Sequence, residues 1–207
     1  MANTTGKKIK DIAIIGGCAS LIYLTIGDIS YRLSLSRGGL NSKLITDMVA
    51  KSAAKKPKDE YKEKLDSMID DGADWFMHQD TEKIIIEKKH RLSLYADLIR
   101  PDKPSNVYII CIHGYTSSPA NMGIYAKKYH ELGYNVLLPS LRGHGDSEQD
   151  FITMGWNDRL DVIEWINYIA ERHPESKIIL HGVSMGAATT MMATGEKLPE
   201  NVKAAIE

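Results

Sequence analysis

The sequence predicts an α/β fold: a doubly wound, mostly parallel sheet starting near Thr81, preceded by a helical N-terminal region that includes a membrane helix. Three observations predict it. After Thr81, short apolar runs alternate with amphipathic helical stretches. One of these runs ends in Gly182-Val-Ser-Met-Gly186, a sharp strand-to-helix turn followed by an Ala-rich segment. Three glycine-containing polar loops also follow the carboxyl ends of successive predicted strands, the edge where open α/β sheets form their sites.

The chain has 207 residues, enough for one domain with appendages and a substantial core. Lys and Arg total 26 against 27 Asp and Glu, for a net charge of −1. No global field attracts nucleic acid, and no zinc-finger spacing or basic arm is present, so a nucleic-acid partner is not expected. Cys18 and Cys111 lie far apart, one in an N-terminal apolar run and one in a buried strand, and no disulfide is expected between them.

In chain order, residues 1–28 read as a membrane anchor or signal-anchor, 29–80 as a helical connector, and 81–207 as the α/β domain. Ile12 to Gly27 carries no charge and sits between Asp11 and Asp28. Sixteen helical residues span about 24 Å, slightly short of a ~30 Å hydrocarbon core, a mismatch that snorkelling or local thinning absorbs. A removed signal peptide or a buried helix are the alternatives, but no small-residue cleavage site follows the run. Lysines 7, 8 and 10 precede it while Arg32, Arg37 and Lys43 follow, and the expected orientation places the domain outside the cytoplasm. In the connector, Asp59 to Met77 has helical apolar spacing through Tyr61, Leu65, Met68, Ile69, Trp75 and Phe76; no chemistry is expected there.

Lys83 to Lys88 and Arg91 to Arg100 read as an antiparallel hairpin. Val107 to Ile112 is a central strand buried on both faces, and it delivers His113-Gly-Tyr-Thr-Ser-Ser-Pro119. A helix over Ala120–Leu132 stops at Gly133, and Tyr134 to Leu138 is the next strand, leading into Pro139 and Arg142-Gly-His-Gly-Asp-Ser147. Gly155 to His173 is an amphipathic helix ended by Pro174. Lys177 to Val183 feeds the turn at Ser184, a helix runs from Met185 to about Lys197, and Val202 to Ile206 is a final strand.

The turn carries the chemistry. In a G-x-S-x-G sequence between strand and helix, the serine hydroxyl projects above the sheet, and the glycines avoid collision with the neighbouring elements. Ser184 is the candidate nucleophile.

From about Asp80 to Glu207 the chain resembles the α/β-hydrolase superfamily, in its membrane-anchored or secreted serine esterase and peptidase-like branch. The resemblance rests on His113-Gly-Tyr-Thr-Ser-Ser, on Arg142-Gly-His-Gly-Asp-Ser147, on Gly155-Trp with Asp158, Asp161 and Trp165, and on Gly182-Val-Ser-Met-Gly-Ala-Ala. It implies that Ser184 attacks an acyl carbonyl and that the backbone N–H groups of Tyr115 and Met185 form the oxyanion hole. His113, with Gly114, and His144 are expected to support these loops rather than act as bases, and Arg142, His144 and Asp146 to tie their loop together by hydrogen bonds. His113, His144 and Asp146 are metal-ligand residue types, but their spacing does not favour a metal site, and no cofactor is implied.

In this superfamily the acid and then the histidine follow the serine. Only 23 residues follow Ser184; none is Asp or His, and all seven histidines precede it. The expectation is a serine hydrolase of small-molecule esters, thioesters or amides, present here as a C-terminally incomplete fragment that is inactive alone. A non-catalytic membrane-tethered binding protein of the same fold, or an acyltransferase, are the alternatives.

Overall fold

The computed structural model describes residues 20–36, 60–88, 92–147 and 149–207. Its centre is a six-stranded sheet of β1 (Glu82–Lys88), β2 (Leu92–Ile99), β3 (Val107–Ile112), β4 (Asn135–Ser140), β5 (Lys177–Gly182) and β6 (Val202–Ile206), in the order β1-β2-β4-β3-β5-β6. β1 pairs antiparallel with β2, and β2 antiparallel with β4; the pairings β4–β3, β3–β5 and β5–β6 are parallel. The sheet is therefore mixed, with the expected hairpin at one edge of a parallel centre.

The helices are α1 (Glu60–Met77), α2 (Gly123–Glu131), α3 (Asp158–Arg172) and α4 (Met185–Thr194). They cover both faces, and the alternation of side chains along β3 sorts the core into two layers. Tyr108, Ile110 and Ile112 join Val162, Trp165 and Ile166 of α3 and Met185 and Ala193 of α4 on one face. Ile109 and Cys111 join Phe76 of α1, Met122 just ahead of α2 and Ala126 of α2 on the other. A strand covered on both sides needs apolar residues at every position, which is why Tyr108 to Ile112 is buried throughout.

Three boundaries differ from the sequence reading. The helix expected from Gly155 begins at Asp158, because Met154 (φ 52°) and Gly155 (φ 93°) occupy the left-handed region and cannot continue a helix. The stretch from Ala120 divides into a short 3₁₀ turn over Pro119–Met122 and then α2. Pro139 lies inside β4 rather than after it, opposite Ala96 near the strand's end. Only the last part of the apolar run 12–27 is described. Residues 20–35 are helical, with Leu21, Ile22, Leu24 and Ile26 exposed, and among the described residues no helix is long and apolar enough to cross a membrane.

Two backbone contacts set the positions of the helices. Gly186 of α4 rests on β3, where an added Cβ would stand 2.0 Å from the Ile112 carbonyl oxygen. Gly72 of α1 and Gly123 of α2 meet directly, and a Cβ on Gly72 would fall 2.3 Å from the Ile124 nitrogen. The charged connector helix is thereby packed onto the domain through backbone, with Phe76 buried beneath it. Gly72→Ala is expected to force the helices apart and cost about 2 kcal/mol, despite the better helix propensity of alanine. Thermal unfolding should show a Tm lowered by about 4–8 °C.

Candidate active site

Ser184 stands between the end of β5 and the first turn of α4, with φ 57° and ψ −116°. A non-glycine residue is strained there, and the strain is held by the packing on either side. A Cβ on Gly182 would lie 2.2 Å from the Gly186 carbonyl oxygen, so the turn closes only because both flanking residues are glycine. Gly114 faces it across the sheet edge, where an added Cβ would stand 3.3 Å from the Ser184 Cβ and 3.8 Å from its Oγ. The loop after β3 thus runs directly past the hydroxyl. The Met185 N–H belongs to the first turn of α4, where helix donors lack intrahelical acceptors. Ser184, Gly114 and Tyr115 line one cleft of about 450 Å³.

Two buried histidines hold the loops that frame this cleft. The Leu141 N–H donates to His113 Nε2 at 3.1 Å, so the proton sits on Nδ1, which donates to the Gly114 carbonyl at 2.8 Å. His144 repeats the pattern: its Nε2 accepts the Thr116 N–H at 3.1 Å, and its Nδ1 donates to the Arg142 carbonyl at 2.9 Å. The rings meet edge to face with centroids 4.9 Å apart. Burial, against the opposing hydrogen bond to Gly114 and with a small push from His144, pulls His113 down to about 4. Backbone groups engage both nitrogens of each ring, so each ring connects two loops and neither is placed to take a proton from Ser184.

The third support differs from expectation. Arg142, expected with His144 and Asp146 to tie its own loop together, reaches α3, where its guanidinium forms a two-pronged pair with Asp161: Nη2 donates to Oδ1 at 2.8 Å and Nε to Oδ2. Asp146 is exposed and has no hydrogen bond or ion pair with a described residue. Asp158, fully buried one turn earlier, accepts from Thr153 Oγ1 at 2.6 Å and from the Gly155 N–H at 2.9 Å, and so closes the left-handed turn ahead of α3. Both carboxylates lie on the same helical stripe as the buried Trp165, and acidic residues on an apolar stripe are the sequence sign of buried partners.

Residues 103–207 match the family described as serine aminopeptidase, S33. The chain belongs to this family. Its fold is that of the α/β-hydrolases. Among curated proteins it is similar to a thermostable monoacylglycerol lipase of Bacillus sp. (strain H-257), 31% identical over 90 residues, which are 41% of this chain and 34% of the lipase. It is also similar to the uncharacterized protein YqkD of Bacillus subtilis (strain 168), 29% identical over 121 residues, 58% of this chain and 39% of YqkD. The matches thus span between a third and two fifths of these relatives. Among solved structures, the Pyrococcus furiosus esterase Pf2001 superposes with a TM-score of 0.55 at 26% identity, over 63% of this chain and 50% of the esterase.

The cleft also contains residues to which the sequence reading gave no role. Leu65 and Ile69 of α1 line it together with Ser184. The end of the helical segment 20–35 reaches its rim: the Tyr115 hydroxyl donates to the Ser34 carbonyl, and the Ile152 N–H donates to the Leu35 carbonyl at 2.7 Å. No local pattern announces either contact, because both join segments far apart in the chain.

Because folding lowers the His113 pKa, the unfolded chain binds the extra proton between its ordinary value near 6.5 and about 4. Stability is therefore complete above about pH 6.5 and falls as the pH drops toward 4, by at most about 3 kcal/mol from this group. Denaturant unfolding at a series of pH values should show this slope, and His113→Asn should flatten it.

Proposed function

We propose that the whole protein is a membrane-held serine hydrolase that cleaves a small-molecule ester, thioester or amide through an acyl-enzyme on Ser184. The observation that carries this reading is the backbone of Ser184: φ 57° between two glycines that a Cβ would jam, with the side chain beside Gly114 in an open cleft. Strained serines at a strand-to-helix turn are costly, and sites of chemistry are where such strain is kept. The relatives named as a lipase and an esterase favour an ester among the acyl substrates.

In the proposed reaction the Ser184 Oγ attacks the acyl carbonyl as its proton passes to a base. The negative charge that develops on the carbonyl oxygen is met by the N–H groups of Tyr115 and Met185, each worth about 3–4 kcal/mol in such sites. Expulsion of the alcohol, thiol or amine, protonated by the same base, leaves the acyl-enzyme; water then attacks it and restores the hydroxyl. Neither His113 nor His144 suits the role of base, since backbone groups occupy both nitrogens of each ring. No Asp or His follows Ser184. The base and its acidic partner are accordingly assigned to residues outside these 207, and this chain by itself is expected to be inactive.

A fluorophosphonate probe should label the full-length protein, with the Oγ–P bond forming as fluoride leaves. Ser184→Ala should abolish labelling while leaving the Tm in place. Absence of Ser184-dependent labelling in the full-length protein contradicts the reading and favours a non-catalytic binding protein; if labelling occurs, product analysis with alcohol acceptors separates an acyltransferase from a hydrolase.

The membrane assignment rests on the uncharged run 12–27 and on the exposed apolar side chains of residues 20–33, with the domain on the extracytoplasmic side. Alkaline carbonate extraction should leave the full-length protein in the membrane pellet, and its release into the supernatant contradicts the anchor.

A further inference from the structure

The cleft beside Ser184 is walled on its outer side by a helix that precedes the sheet in the chain. Leu65 and Ile69 of α1 face Met122, Ile124, Tyr125 and Val183 across it. Among the described residues that line it there is no Asp, Glu, Lys, Arg or His. Three of its polar groups are committed to protein partners. Asn121 Oδ1 accepts the Ser118 N–H at 3.1 Å and the Ser118 hydroxyl at 2.9 Å. Thr116 Oγ1 donates to the Tyr115 carbonyl at 2.7 Å, and the Tyr115 hydroxyl donates to the Ser34 carbonyl. What the cleft offers a ligand is chiefly apolar surface, in a volume of about 450 Å³. That lies within the roughly 300–1,000 Å³ typical of small-molecule sites.

The outer wall is firmly placed. The Gly72–Gly123 backbone contact holds α1 on α2 one turn beyond Ile69, and Phe76 anchors it in the core a further turn along. Leu65 and Ile69 are four residues apart, so they occupy the same face of the helix. A group attached at the Ser184 hydroxyl therefore meets two aliphatic side chains at a set position.

We propose that α1 is the specificity wall of the site: Leu65 and Ile69 line an acyl pocket that takes an uncharged alkyl chain and determine how long that chain is. The proposal rests on the reading of Ser184 as the nucleophile. An alkyl chain is the occupant the lining favours, because Leu65, Ile69, Met122, Ile124 and Val183 offer it apolar surface and no described lining side chain carries a charge to pair with a charged group.

The test compares two fluorophosphonates on the full-length protein, one with an ethyl and one with a dodecyl chain. The wild type should react with both, and faster with dodecyl. Leu65→Trp and Ile69→Trp, which fill the cleft, should lower the dodecyl-to-ethyl rate ratio about tenfold or more. Should the tryptophan variants fail to fold, Leu65→Ala and Ile69→Ala decide: each removes contacts with the long chain only and should lower the same ratio. A wild-type ratio retained in every folded variant overturns the wall, while Ser184 labelling itself stands. Failure of the ethyl probe to label Ser184 in the wild type overturns the nucleophile reading, and the acyl pocket with it.

Discussion

The structure depends on one approach of backbone to backbone. Gly186 sits so close to β3 that a single carbon on it would stand 2.0 Å from the Ile112 carbonyl oxygen. That contact fixes where α4 begins, and so how sharply the chain must turn after Gly182. Ser184 takes its positive φ because β5 and α4 leave no other path between them. The cost of a non-glycine residue there, on the order of 1–3 kcal/mol, is borne by the apolar layers on both sides of the sheet. Ile112 is also the last residue of β3, and the loop it releases brings Gly114 against Ser184. The same contact thus positions the hydroxyl and the loop that faces it.

Around this turn, neutral histidines do the work of holding loops in register. A buried imidazole with one proton is a donor and an acceptor at fixed separation, and each ring here joins the loop after β3 to the loop after β4 through main-chain groups. Burial holds the His113 ring well below the ordinary imidazole range, down to about 4. The Arg142–Asp161 pair ties the second loop to α3 in two-pronged geometry. Cleft and support are segregated: ion pair and histidines behind, apolar side chains in front.

The N-terminal region is part of the site rather than a spacer before it. α1 has a polar, acidic outer face, and on sequence grounds it reads as a solvated connector. Its inner face contributes Phe76 to the core and Leu65 and Ile69 to the cleft. The helical segment 20–35 ends against Tyr115 and Ile152, within reach of the same loop. Both segments precede the residues matched by the family, which begin at 103, so the cleft combines side chains from the family's own part with Leu65 and Ile69 from outside it.

The sequence by itself determined the order of strands and helices, the hairpin at the sheet edge, and the turn at Ser184. These are local properties: two-residue alternation, apolar runs and glycines at a set spacing report directly on backbone conformation. It also determined that His113 and His144 flank the site, through motifs whose members are neighbours in the chain. Element ends were less legible. Gly155 reads as helical by spacing, yet a left-handed turn closed by Asp158 takes that stretch out of the helix. Only the tertiary structure decided that Arg142 pairs with Asp161 of α3, and that Leu65 and Ile69 line the same cleft as the serine. Pairings of this kind join residues tens of positions apart, and their partners are chosen by how helices pack across a sheet, a geometry that no short window of sequence contains.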